Sequence, residues 1–257
     1  MKTVGFIGMG NMAGAIASGI VKSGFIEGNL VYAYDIDQTK LDQMKQDYQI
    51  NPTKSELEIV KTCDVIVMAV KPQVVESVMD KIKNDVGNKP IISIVSGYSY
   101  DRYEQLMPGT HHLTIMPNTP AKVLQGMTLF EKTNSLTKEE FDFACKMFES
   151  IGEVEVIENH YMVGAGALTG CGPAFVYMFI EALADGAVLQ GLPRDLAYRL
   201  ASQMVLGSAD MVKETKLHPG VLKDQVCSPG GITIKGVKAL ERGSFRNSVM
   251  DAIIESK

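Results

Sequence analysis

The sequence predicts an α/β fold in which a mostly parallel sheet is followed by a second, all-helical domain. In the first 158 residues, short apolar segments alternate with amphipathic ones, as in strands joined by crossover helices. A glycine-rich turn separates the first apolar segment from the first amphipathic one. After Glu158 no strand-like alternation remains. We therefore expect one domain over residues 1–158 and another over 159–257.

The elements of the first domain follow from short apolar segments and helix-capping signals. The predicted strands are 4–7, 30–34, 65–70, 91–95 and 112–115. The predicted helices are 11–22, about 37–48, one that begins at Ser55, and one that begins at Thr137 and ends near Ser150. The last two open with capping-box spacing. Segment 65–70 is continuously apolar, which is typical of a strand covered on both faces.

The second domain is predicted to consist of helices alone. Their predicted spans are 159–168, 173–190, 194–215, 220–226, 232–241 and 245–255. Gly191 and Gly243 lie where C-terminal helix caps are expected. These helices carry more uncharged surface than one small core can bury, so we expect part of it to contact another subunit.

Composition excludes several classes of protein. The 257 residues are 46% hydrophobic and 21% charged, as in a globular protein, and the net charge of -5 argues against nucleic-acid binding. Glycines interrupt the uncharged stretches 3–21 and 162–180, so we expect no targeting segment and no membrane span. The cysteines lack metal-ligand spacing and the His111–His112 pair would point to opposite faces of a strand. We expect a cytoplasmic protein with reduced thiols and no metal.

The glycine-rich turn has the form GxGxxA, with Gly8, Gly10 and Ala13 between a strand and a helix. Such a turn lets the backbone approach a pyrophosphate at the positive end of the helix. The second predicted strand ends at an acidic residue, Asp35, where the adenosine ribose of a dinucleotide would lie. The pattern predicts dinucleotide binding, while a helix-capping or solvent-facing role for Asp35 stays open.

Two further turns follow predicted strands at the carboxyl edge of the sheet. Ala69-Val70-Lys71-Pro72 ends the long apolar strand, and 116–120 places Asn118 between two prolines. Ligands bind beyond the carboxyl ends of parallel strands, so both turns are candidates for cofactor contact. A purely structural turn at 116–120 is the alternative.

A Ser-Pro-Gly-Gly segment joins two predicted helices near the end of the chain. Thr233 lies in the first turn of the second of these helices, and Ser228 precedes the glycines. Backbone N–H groups and the two hydroxyls could together hold a small carboxylate. An ordinary helix connection is the equally weighted alternative.

These motifs together resemble the pyrroline-5-carboxylate reductases, over essentially the whole chain. The resemblance is carried by residues 6–12 (FIGMGNM), 69–72 (AVKP), 116–120 (MPNTP), 169–175 (TGCGPAF), 218–220 (HPG) and 228–233 (SPGGIT). It implies a Rossmann domain followed by a helical domain that interlocks with a second subunit, as a homodimer or a ring of dimers. It also implies hydride transfer from NADH or NADPH to the C=N carbon of L-1-pyrroline-5-carboxylate, which gives L-proline.

The resemblance assigns roles to particular residues. Cofactor contacts are expected at Ile7, Gly8, Met9, Gly10, Asn11, Met12, Ala69, Val70, Lys71 and Pro72, beside Asp35 and Asn118. The imino acid would contact Ser228, Gly230, Gly231 and Thr233, with Thr233 as the candidate catalytic hydroxyl. Two positions depart from the family pattern: relatives usually carry Ser at Cys171, and NADPH-using relatives carry a small polar residue at Asp35. The carboxylate at Asp35 favours NADH.

Three other interpretations compete with this one. The first is reduction of another cyclic imino acid. The second is a 3-hydroxyacid dehydrogenase, which would need a lysine base on the first long helix of the second domain, yet no lysine lies between Lys146 and Lys213. The third is a non-catalytic dinucleotide-binding protein, for which the sequence offers no appended module, linker or charged tail.

Overall fold

The computed structural model describes residues 2–256 and contains one eight-stranded sheet in its first part. The strands are β1 Val4–Ile7, β2 Val31–Tyr34, β3 Asn51–Pro52, β4 Val65–Met68, β5 Ile91–Ser93, β6 His112–Met116, β7 Gly126–Glu131 and β8 Gly152–Ile157. The helices that accompany them are α1 Asn11–Lys22, α2 Gln38–Tyr48, α3 Glu56–Thr62, α4 Val75–Ile82, α5 Tyr100–Leu106 and α6 Lys138–Glu149. The predicted α/β class is confirmed.

The strands lie in the order β3-β2-β1-β4-β5-β6-β7-β8, and every neighbouring pair is parallel except β6 with β7. The chain order reverses between β1 and β4, because β2 and β3 extend the sheet on one side and β4 to β8 on the other. In open sheets of this kind, a crevice for ligands opens at the carboxyl ends of the strands where the order reverses.

Helices cover the sheet on both faces, and β4 contributes to both cores. Val65 and Val67 belong to the cluster packed against α1 and α6, whereas Ile66 and Met68 belong to the cluster packed against α3, α4 and α5. All four side chains are at most 1% exposed. The interpretation of this segment as a strand covered on both faces is therefore confirmed for residues 65–68, while Ala69 and Val70 lie in the turn that follows.

Strands β3, β7 and β8 were not predicted from the sequence. β3 has only two residues. β7 runs antiparallel to β6, so no α-helix precedes it that would have indicated another parallel strand. β8 alternates glutamate with valine at the edge of the sheet. Helices α4 and α5 were also missed. The two-residue β3 has no local pattern, whereas the alternation in β8 is a local strand signal that the sequence analysis missed.

The later part of the chain is helical. It contains α7 Met162–Gly166, a π-helical turn at Ala167–Cys171, and then α8 Gly172–Leu189, α9 Arg194–Thr215, α10 Pro219–Val226, α11 Ile232–Arg242 and α12 Phe245–Ile254. The predicted break after residue 168 is wrong, since the π-helical turn carries α7 directly into α8. Pro173 fits there because the first turn of a helix does not need its N–H.

The chain forms two compact units, one up to Gly170 and one from Cys171 onward. Residues 159–170, which the sequence analysis assigned to the second domain, include α7, and α7 contacts β7. Among the described residues of the second unit, the buried hydrophobic side chains are Ala184, Ala197 and Ala201 alone. Many large ones, such as Met178 and Leu206, are more than half exposed. An apolar surface of this extent indicates an interface.

Candidate active site

The turn after β1 is shaped by the close approach of β4. Gly8 has a φ of +96°, and a Cβ atom at this position would lie 2.6 Å from the carbonyl oxygen of Ala69. The Gly8 N–H donates to the carbonyl of Tyr34 on the other side, at 2.8 Å. Any larger residue would have to push β4 away, so glycine is required here.

The N-terminus of α1 faces open space beyond this turn. Gly10 is its N-cap residue and forms no side-chain cap, and the first turn of the helix contains no acidic residue. A Cβ atom on Gly10 would meet nothing within 4 Å. The N–H groups at the start of a helix lack intrahelical partners and attract anions. This cradle therefore fits a dinucleotide pyrophosphate.

Asp35 lies against the glycine turn. Its carboxylate accepts hydrogen bonds from the N–H of Met9 at 2.6 Å and from the N–H of Asp37 at 2.9 Å. Asp37, and not Asp35, caps α2, because it accepts from the N–H of Thr39. The helix-capping alternative for Asp35 is thus wrong. The carboxylate is half-buried, and the adjacent Ile36 is 94% exposed.

The turn after β4 lies beside the glycine turn and Asp35. Ala69 donates its N–H to Ile7 at 2.9 Å, and Lys71 precedes a 3₁₀ turn that begins at Pro72. Lys71 and Pro72 are exposed at the carboxyl edge. Residues 8–12, 35 and 69–72 therefore meet beyond the carboxyl ends of β1, β2 and β4, where the strand order reverses.

The predicted cofactor residues do not all present side chains to this edge. The side chains of Ile7 and Met9 are 0% and 2% exposed and belong to the two cores. Their backbone groups alone lie at the turn. A cofactor contact from either residue, which stays a prediction, would thus involve the main chain.

The side chain of Asn118 forms two hydrogen bonds within the protein that the sequence did not predict. Its side-chain N–H donates to the carbonyl of Thr169 at 3.0 Å, and its side-chain oxygen accepts from the N–H of Met127 at 2.9 Å. The residue is 7% exposed. Asn118 thereby ties the π-helical turn to the start of β7. Its contact with a cofactor stays a prediction, and the structural role proposed as the alternative is present.

The loop between α10 and α11 lies in the second unit. The backbone carbonyl of Ser228 accepts from the N–H of Gly231 at 3.0 Å. The tight turn between them includes Gly230, which has a φ of +71°. Gly231 is the N-cap residue of α11, whose first turn holds Thr233 and no acidic residue. The open N–H groups at this helix start, next to the two hydroxyls, form a cradle suited to a carboxylate.

No metal centre is found among residues 2–256, where no three His, Cys, Asp or Glu side chains converge. His111 bonds to Glu140, whereas the His112 ring stacks on Tyr100 and Tyr103. All four cysteines are free, and burial raises the pKa of Cys63 to about 12. A thiol of that pKa is inert at neutral pH.

Comparison with known proteins gives full-length matches. Residues 159–257 match a family model described as pyrroline-5-carboxylate reductase dimerisation, and residues 3–97 match one described as NADP oxidoreductase coenzyme F420-dependent. The pyrroline-5-carboxylate reductase of Escherichia coli (strain K12) is 39% identical over 254 residues, covering 98% of this chain and 94% of the relative. That of Arabidopsis thaliana is 38% identical over 252 residues, covering 98% and 91%.

A solved structure agrees with these relatives. The Plasmodium falciparum pyrroline carboxylate reductase with NADP bound superimposes with a TM-score of 0.91 at 34% identity. The superposition covers 99% of this chain and 95% of the other.

The two hydrogen bonds of Asn118 predict the effect of an isosteric change. In Asn118→Asp, a carboxylate oxygen replaces the N–H donor 3.0 Å from the carbonyl of Thr169. We expect the free energy of unfolding at pH 7 to fall by about 1–3 kcal/mol, because a buried acceptor would lose its partner. Urea denaturation measures this loss, with Asn88→Asp on the exposed surface as control. Equal midpoints for the two variants would contradict the role assigned to Asn118.

Proposed function

The chain belongs to the pyrroline-5-carboxylate reductase family, and we propose that its sheet-edge turns bind the dinucleotide while its 228–233 loop binds the imino acid. As a member of that family it is an NAD(P)H-dependent oxidoreductase acting on the C=N bond of L-1-pyrroline-5-carboxylate, with L-proline as the product. The observation that carries the site assignment is the meeting of residues 8–12, 35 and 69–72 at the point of strand reversal.

The first unit supplies the binding surface for the dinucleotide. The N–H groups at the start of α1 hold the pyrophosphate, and Asp35 accepts from the ribose hydroxyls with the lone pairs not used by Met9 and Asp37. Ile36, which is exposed beside it, offers an apolar surface to the adenine. When bound, the reduced nicotinamide supplies a hydride to the C=N carbon.

The second unit supplies the carboxylate cradle for the imino acid. The N–H groups at the start of α11 and the Ser228 hydroxyl hold the carboxylate, and the Thr233 hydroxyl donates a hydrogen bond near the ring nitrogen. A cyclic imine is basic enough to be protonated in water, and its iminium form accepts hydride readily. The chain therefore needs to orient its ligand more than to provide a strong acid.

The exposed apolar surface of the helices is suited to self-association. The dimerisation match covers 159–257, the same residues that leave large hydrophobic side chains exposed. The helical stretch Asn159–Leu189 has the length and hydropathy of a membrane span, with 11% of its most apolar window buried. We assign that surface to the subunit interface, with a ring of dimers as the full assembly and the cytoplasm as its location.

Cofactor choice provides the first test. We expect kcat/KM with pyrroline-5-carboxylate to be at least about ten-fold higher for NADH than for NADPH, because a 2′-phosphate would lie beside the Asp35 carboxylate. Asp35→Asn keeps an acceptor for the Met9 N–H but removes the charge, and Asp35→Ser removes the charge and shortens the side chain. Both variants should raise the relative efficiency of NADPH by about ten-fold. A wild-type preference for NADPH that neither substitution alters would contradict this role of Asp35.

The hydroxyl of Thr233 provides the second test. We expect Thr233→Ala to lower kcat/KM for pyrroline-5-carboxylate about ten- to a hundred-fold, equivalent to about 1.5–3 kcal/mol for a hydrogen bond to a charged ligand. The KM for the dinucleotide should change less than two-fold. Thr233→Ser keeps the hydroxyl and is the matched control. Steady-state kinetics of the wild type, Thr233→Ala and Thr233→Ser test this role. Unchanged kinetics in the alanine variant would show that Thr233 is an ordinary helix residue.

The assembly provides the third test. Light scattering at micromolar protein should give a mass that is an even multiple of the 28.0 kDa chain and larger than a dimer. Burial of the exposed apolar surface of α8 and α9 is the physical reason. A dimeric mass would exclude the ring, and a monomeric mass would exclude both assemblies.

A further inference from the structure

The loop between β5 and α5, residues 94–99, contacts the turn assigned above to the cofactor. It leaves the carboxyl end of β5, next to β4 in the sheet. The hydroxyl of Tyr98 donates to the carbonyl of Pro72 at 3.3 Å. The position of the 69–72 turn therefore depends in part on where this loop is held.

Glu131, the last residue of β7, holds the far end of that loop. Its carboxylate accepts from the N–H of Tyr100, the first residue of α5, at 2.9 Å. Ser99 is the N-cap residue of α5 but forms no side-chain cap. A carboxylate is the preferred partner for the unpaired N–H groups of a helix start. Glu131 thus caps α5 from a strand two positions away from β5 in the sheet.

Thr114 holds the same loop from a second strand. This residue lies on β6, between β5 and β7, and its hydroxyl donates to the carbonyl of Tyr98 at 3.2 Å. The two ends of the segment 98–100 are therefore fixed to neighbouring strands by side chains.

The body of α5 is held rigidly beneath the loop. The hydroxyl of the fully buried Tyr103 donates to the hydroxyl oxygen of Ser93 on β5 at 2.6 Å. The buried His112 ring stacks on Tyr100 and Tyr103, with centroids 4.9 and 5.4 Å apart. With α5 fixed in this way, the capping carboxylate of Glu131 acts on the loop and not on the whole helix.

Burying the Glu131 carboxylate costs free energy, because a charged group loses its hydration. Packing alone does not explain a glutamate at this position. Glu131 is 2% exposed, and among residues 2–256 no basic side chain forms an ion pair with it. Burial raises the pKa of Glu131 above its usual range, although its hydrogen bonds to Tyr100 and Thr114 act in the opposite direction. An apolar residue on β7 would avoid this cost but would leave the Tyr100 N–H without its acceptor.

We propose that Glu131 is a positioning residue for the reductase reaction, which sets the 69–72 turn against the dinucleotide through Tyr100, the 94–99 loop and the Tyr98 hydroxyl. The inference rests on the proposed cofactor role of that turn. It assigns no contact between Glu131 and either ligand.

Equilibrium binding of NADH and NADPH to the assembled protein, measured by isothermal titration calorimetry, tests the proposal. We expect Glu131→Ala to weaken binding of the preferred dinucleotide by about five- to thirty-fold, since a buried cap is lost and the loop is released. Glu131→Gln keeps an oxygen acceptor for the Tyr100 N–H, and its binding should stay within two-fold of wild type. Glu149→Ala, on the exposed end of α6, is the matched control.

Tyr98→Phe tests the other end of the connection, and it remains informative if Glu131→Ala does not fold. It removes only the hydroxyl that contacts Pro72, and we expect binding at least about three-fold weaker. Binding within two-fold of wild type in folded Glu131→Ala or in Tyr98→Phe would overturn the proposal, as would equal losses in Glu131→Ala and Glu131→Gln. If wild-type protein bound neither dinucleotide, the proposed cofactor site itself would be wrong.

Discussion

The contact between the glycine turn and β4 is the constraint on which the site depends. Because a Cβ atom at Gly8 would lie 2.6 Å from the Ala69 carbonyl, β1 and β4 can end side by side only with glycine at this position. Their closeness places the start of α1, the Asp35 carboxylate and the Lys71–Pro72 turn around one opening. Every proposed contact with the dinucleotide uses this geometry, including those made by backbone groups alone.

Buried and half-buried polar side chains then fix the segments around the opening. Asn118 uses both ends of its amide to tie the π-helical turn to β7, and Asp35 holds the Met9 N–H of the glycine turn. Glu131 caps α5 from β7. In each case a backbone group is held by a side chain with fixed hydrogen-bond directions. Such bonds define position more sharply than hydrophobic packing, which has no direction.

The second unit differs from the first in how little apolar surface it buries within itself. Its long helices leave large apolar side chains exposed, and alanines alone are buried among its described hydrophobic residues. A unit of this composition buries few apolar side chains of its own, and its exposed apolar surface is suited to association with another copy. The match of 159–257 to a dimerisation family agrees with such an association. The loop 228–233 thus lies in the unit that carries the apolar surface proposed for the subunit interface.

The α/β class, the glycine turn, Asp35 and the 228–233 loop were all visible in the sequence, because each depends on local periodicity or on neighbouring residues. Strands β3, β7 and β8 were not predicted: β3 has only two residues, β7 pairs antiparallel with β6, and the Glu-Val alternation of β8 was missed. The bonds of Asn118 to residues 127 and 169, and of Glu131 to Tyr100, join positions distant in sequence. Sequence by itself determined which local elements form and what chemistry the turns can support. Only the tertiary structure decided which buried polar groups hold those turns in place, because hydrogen bonds across the fold leave no local pattern.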